Sequence, residues 1–181
     1  SGQQAMAAAD SEKYNVIPVY IAKNGYLYTG EAMKNIEEFK NMPALLKKSS
    51  RIILVNDEKG VRMEKYPKPV FGGDLGFIDV AVPVVHGTNG EDGTLQGYLD
   101  MLGLAYAGCN VLSSALGMDK IVMKNVLGSH GIPVLECEYF YSREWFDAKD
   151  EIIEKTEKQK FIAAWHNYLL LYHATINLKQ C

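Results

Sequence analysis

Residues 84–133 read VVHGTNGEDGTLQGYLDMLGLAYAGCNVLSSALGMDKIVMKNVLGSHGIP. The run entering this stretch, Ile78 to Gly87 (IDVAVPVVHG), is a continuous apolar series that predicts a buried strand, and it stops at the polar, glycine-rich loop Gly87 to Gly93. Beyond the loop, Leu95, Tyr98, Leu99 and Leu102 recur at helical spacing, so Thr94 to Gly103 predicts a helix with a glycine C-cap. Leu104 to Gly108 follows as a short strand. A second helix runs from Ser113 or Ser114 to Ser129, ended by Gly131-Ile132-Pro133, and Val134 to Tyr141 predicts a strand. Strands alternating with helices at this spacing predict an α/β fold with a mostly parallel sheet, in which ligands bind at the carboxyl ends of strands.

Upstream, Ser1 to Ala9 has the alanine-rich character of a helix without a convincing cap, and Asn15 to Ala22 that of a buried strand made irregular or edge-like by Pro18. Glu31 to Lys40 predicts a short helix. Arg51 to Val55 and Val61 to Tyr66 flank Asn-Asp-Glu-Lys-Gly as a hairpin, which brings an antiparallel pair into the sheet. Downstream, Arg143 to Lys160 is charged and helical in pattern, with Glu151/Lys155 and Glu154/Lys158 at i,i+4 spacing.

The chain has 181 residues, 48% of them apolar and 23% charged, a composition that excludes intrinsic disorder. A formal net charge of -3 argues against nucleic acid as a partner. No uninterrupted apolar run reaches the roughly 18 to 20 residues of a membrane helix, so membrane is not an expected partner either. Cys109, Cys137 and Cys181 are few, scattered and free of any CxxC pair. They suggest neither a disulfide framework nor a zinc knuckle, and cytoplasmic localisation is the expectation. Buried thiols are the ordinary reading of Cys109 and Cys137.

Chemistry concentrates in the loop from His86 to Gly93, which joins an imidazole, two carboxylates and three glycines. His86 has the chemistry to donate to a carboxylate or carbonyl oxygen of a ligand, and Glu91 to orient it. The plainer reading is a strand-to-helix connection with Asp92 as N-cap and His86 bonded to backbone. On composition the two readings stand level. Lys120, inside an otherwise amphipathic helix, reads by itself as a solvated surface charge.

Four motifs change that balance: HG..GEDGT.QG from His86 to Gly97, LG..Y.G from Leu102 to Gly108, S.AL.MDK ending at Lys120, and Gly131-Ile132-Pro133. Together they resemble the D-alanine–D-alanine ligase family, and the likeness runs more loosely back to Lys13–Ile21 and forward to about Gln159. The resemblance implies a Rossmann-like amino-terminal domain over residues 1–141, with residues 142–181 as a linker helix and an atypical tail. It implies ATP-dependent joining of two D-alanines through an acyl phosphate for peptidoglycan synthesis, with D-alanine, ATP and Mg2+ as ligands and a homodimer as the assembly. By it His86 and Glu91 take catalytic places beside the first D-alanine, and Lys120 becomes an ATP-phosphate contact. D-alanyl-D-lactate and D-alanyl-D-serine ligases are alternatives within the family, and a non-catalytic dimerisation module is the alternative outside it.

The departures from that family pattern are equally specific. The family's opening strand, with the glutamate that binds the D-alanine amine, has no counterpart before Ser1. Lys160 to Cys181 (KFIAAWHNYLLLYHATINLKQC) stands where a Lys-Pro strand and a Gly-Ser-Ser loop are expected. A fragment that is inactive alone, with no metal ligand of its own, is the expectation. His166, His173 and Trp165 lack partners at metal-binding spacing and read as packing residues.

Overall fold

In a computed structural model, residues 1–135 and 139–157 are described. They fall into two compact units that divide between Met118 and Asp119.

The first unit opens with helix α1 (Gly2–Ala8) and continues through strands β1 (Val19–Ile21) and β2 (Leu27–Thr29). Two 3-10 turns, Glu31–Lys34 and Ile36–Lys40, lead into α2 (Met42–Lys48). The single helix expected over Glu31–Lys40 divides because Asn35 is extended and its side chain accepts from Glu37 N, starting a new turn. Asn41 repeats the device, accepting from Ala44 N at 3.1 Å with Pro43 in the first turn of α2.

Strands β3 (Ser50–Asp57) and β4 (Gly60–Lys65) form the expected hairpin, closed by Lys59 N donating to the Asp57 carboxylate at 2.8 Å. With β5 (Asp74–Ile78) they complete a five-stranded sheet in the order β1-β2-β3-β4-β5, antiparallel throughout. The expectation of a mostly parallel sheet is corrected to that extent. The fold class is α/β, but parallel pairing among the described residues is confined to β6 (Val80–Ala81) against β7 (Ala105–Tyr106). The apolar run from Ile78 contributes only two residues to this pair. Pro83 has no N–H to offer a partner strand, and the chain leaves the ladder before it.

Pairing alternates along β3 and β4 so that Ile52, Leu54, Val61 and Met63 share one face, with Arg62 and Glu64 on the other. The apolar face supplies Ile52 and Met63, which are fully buried, as are Met33 and Leu45. The polar face holds an ion network in which Arg62 meets Asp57 at 3.1 Å, Glu64 at 3.3 Å and Asp74 at 3.4 Å. One apolar and one charged face is the normal state of an antiparallel sheet half open to water. By contrast β1, expected as a buried strand, is an edge whose Val19 and Ile21 are 43% and 38% exposed.

Helix α3 (Thr94–Leu102) lays Leu95, Leu99 and Leu102 against Val61, Ile78, Ala81, Leu104 and Tyr106. One apolar cluster therefore joins the antiparallel sheet, α3 and the β6–β7 pair. Gly103 ends the helix in the left-handed region (φ 69°), with Leu104 N returning to Leu99 O at 3.0 Å, as the sequence predicts.

The helix expected from Ser113 to Ser129 is two: α4 (Val111–Met118), closing the first unit, and α5 (Lys120–Ser129), opening the second. Asp119 breaks it. Its backbone is extended and its carboxylate accepts from Ile121 N and Val122 N, both at 3.0 Å. The second unit continues with α6 (Ser142–Asp147) and α7 (Lys149–Glu157). Of the strand expected over Val134–Tyr141, residues 136–138 lie outside those described, and the described residues beside them are not in a strand. The expected pairs to Lys155 and Lys158, and all readings after Glu157, including His166, His173 and Trp165, lie outside the described side chains.

Candidate active site

The loop between β6 and α3 is wound tightly by its own polar groups. Gly87 (φ 76°) and Asn89 (φ 67°) both take the left-handed conformation, natural for glycine and tolerated by asparagine. Gly90 N and Glu91 N both donate to Gly87 O, at 3.2 and 2.9 Å. The Glu91 side chain turns back over the same turn, and its Oε2 accepts from Gly87 N at 2.6 Å. That leaves Glu91 Oε1 3.6 Å from His86 Nδ1, outside hydrogen-bond reach but within ion-pair distance once the imidazole is protonated. The His86 side chain is 78% exposed, so the ring is presented to solvent with an acidic group held beside it.

Asp92 is the scaffold of the loop. Its Oδ2 accepts from Asn89 N at 2.8 Å and its Oδ1 from Thr94 N at 3.0 Å. Partial burial alone would push its carboxyl up, but these amides outweigh burial and hold it below the ordinary carboxylate value. The N-cap position itself belongs to Gly93 rather than to Asp92. Gly93 sits at φ 91°, and a Cβ there would lie 2.7 Å from Val111 O, so the start of α4 closes on it too tightly for any side chain.

Sequence reasoning brings His86 and Glu91 together, and so does the structure. Lys120 belongs to the second unit, where it is the first residue of α5 and exposed. Because Asp119 already occupies two amides of that helix end, any cationic role there rests with the lysine side chain rather than with the helix terminus. Sequence reasoning missed Gln96, which is 7% exposed and donates from Nε2 to Gly90 O at 3.1 Å. The available signal was a glutamine beside Leu95 in a helix predicted to pack. Cys109, expected to be buried, is exposed and free.

A phosphate-bearing ligand suits Lys120, a compact cation at the surface. Among the described residues no group of three or more His, Cys, Asp or Glu side chains converges. No described helix is long and apolar enough to cross a membrane.

A family model described as the D-ala D-ala ligase N-terminus matches residues 1–109. The chain is 41% identical over 139 residues to a D-alanine–D-alanine ligase of Thermosipho melanesiensis, covering 77% of this chain and 37% of that one. It is 39% identical over 161 residues to one of Natranaerobius thermophilus, covering 88% and 42%. Among solved structures, the D-alanine–D-alanine ligase from Coxiella burnetii superimposes with a TM-score of 0.69 at 27% identity, over 88% of this chain and 43% of that one. The VanG D-Ala:D-Ser ligase from Enterococcus faecalis gives 0.63 at 28% identity, over 84% and 43%. The chain thus spans about two-fifths of the length of the relatives it matches. With the amino-terminal model matched over more than half its length, this chain belongs to the D-alanine–D-alanine ligase family.

Proposed function

We propose that this chain forms the amino-terminal part of an ATP-dependent D-alanine–D-alanine ligase of the cytoplasm, working as a homodimer in peptidoglycan synthesis. Residues 1–141 belong to its first domain and residues 142–181 to a linker, which carries α6 and α7, and a tail. The observation that carries the reading is the His86–Glu91 pair, held by a wound glycine loop between β6 and α3 and open to solvent. Curated relatives of this chain are named D-alanine–D-alanine ligases, which favours D-alanine over D-lactate or D-serine as the second substrate.

In such a reaction a D-alanine carboxylate oxygen attacks the terminal phosphorus of ATP, ADP leaves, and the amine of a second D-alanine displaces phosphate from the acyl group. A ring N–H of His86 donates to an oxygen of the first D-alanine, and Glu91 fixes the ring. Lys120 neutralises phosphate charge as the terminal phosphoryl group leaves. Positioning and charge are what these side chains supply, in keeping with the small covalent demand of phosphoryl transfer. Mg2+, when bound, would screen phosphate charge.

Two experiments test the proposal. Adding D-alanine to the 181-residue chain should shift the His86 imidazole resonances saturably, with L-alanine much weaker, and no response to D-alanine would count against the site. Grafted into an active ligase in place of the matching segment, His86→Ala and Lys120→Ala should each lower kcat/KM by about a hundredfold with the melting temperature kept. Unchanged kinetics in both would remove the assignments.

A further inference from the structure

Gln96 is the one buried polar side chain at this loop that the reaction does not use. Its Nε2 donates to Gly90 O at 3.1 Å, and because a carbonyl only accepts, this fixes which end of the amide points at the loop. Its Oε1 is also buried and meets no hydrogen-bond partner. An orphaned acceptor makes glutamine a poor choice for packing alone, since an unbranched apolar residue would fill the same space without it.

The donor end explains the residue. Gly90 is also crowded by Val85, whose Cγ2 and Cβ would lie 2.8 and 3.0 Å from an added Cβ. Val85 and the Gln96 amide therefore both hold the Gly90 peptide. From that fixed point, Gly90 N and Glu91 N reach Gly87 O, and Gly87 N returns to Glu91 Oε2. Displacing Gly90 moves Gly87 and Glu91 together, and with them the spacing between Glu91 and His86.

We propose that Gln96 is a positioning residue, which acts through Gly90 to set the Glu91 carboxylate against Gly87 N and His86. The identity of the ligand that profits from this rests on the ligase reading, but the positioning itself is tested without ligand. In the 181-residue chain, the Gln96 side-chain amide protons should exchange with solvent at least about tenfold more slowly than those of exposed Gln4. Equal rates would overturn the proposal without any substitution.

Gln96→Met keeps the length and removes the donor. In that variant the Gly87 amide should exchange about tenfold faster. The Leu104 amide, bonded to Leu99 O past the far end of α3, should be unaltered. An unchanged Gly87 amide, or Gly87 and Leu104 loosening together, would overturn the positioning role in favour of plain packing. A chain in which Gly87 behaves as expected but D-alanine evokes no response would refute the ligand and leave Gln96 in its role.

Discussion

Two residues of the loop, Asp92 and Gly90, are held by opposite means, one by charge and one by lack of space. Asp92 accepts two backbone amides, and its carboxyl lies below the ordinary value. A carboxyl depressed in the folded state stabilises above its unfolded pKa of about 4, and that contribution is lost as pH falls through the folded value. Asp92→Asn should therefore be less stable than the parent at neutral pH, and urea titrations of the two should converge between about pH 5 and pH 2. Curves that stay parallel would deny Asp92 its charge role. At Gly90 the backbone is unstrained, so only Val85 opposes a side chain. Gly90→Ala should cost about 1 to 3 kcal/mol, and Val85→Ala in the same chain should recover part of it by removing the nearest methyl. Strictly additive losses would show that the clash is relieved elsewhere. The glycines and carboxylates of this loop were legible in the sequence as a strand-to-helix connection, because its hydrogen bonds are local. Gln96 was not, because its burial depends on how α3 packs.

Among the elements, the helices were legible where their punctuation is local and misread where one residue decides between two geometries. Gly103 announces the end of α3 in the sequence and performs it in the structure. Asp119, by contrast, sits in an unbroken helical pattern from Ser113 to Ser129, and only its extended backbone and two accepted amides reveal a new helix. Removing that acceptor with Asp119→Ala should cost about 1 kcal/mol, read as faster exchange of the Ile121 and Val122 amides with the β3–β4 ladder unaffected. No change at those two amides would mean that α5 begins without a cap. Strand direction was the harder inference. The local β3–β4 hairpin could be read from its turn, but β2 and β5 are short, carry Gly76 or alternate weakly, and gave no signal that the larger sheet would be antiparallel throughout.

At the scale of the whole first unit, two sheets of different kinds have to be made into one body, and a single apolar cluster does it. Val61 from β4 and Leu104 before β7 are each 4% exposed and meet across Leu99 of α3, also 4% exposed, with Ile78, Ala81 and Tyr106 packed around them. The alternation of strand and helix predicted an α/β body, because each element must bury one apolar face. It could not predict that α3 would bridge unlike sheets, since that depends on pairings between residues far apart in the chain. Leu99→Ala tests the bridge. Deleting a side chain at the centre of a close-packed cluster removes its contacts and leaves a cavity, for a loss of about 2 to 5 kcal/mol. If Leu99 joins the sheets, the damage should appear on both sides of it: in the Val61–Ile78 ladder of the antiparallel sheet, and at Ala107 N, which donates to Ala81 O at 2.9 Å beside the parallel pair. Hydrogen exchange resolves the two. Loosening on one side only would assign α3 to a single sheet, and the loop carrying His86 and Glu91 would then draw its rigidity from its own hydrogen bonds rather than from the body beneath it.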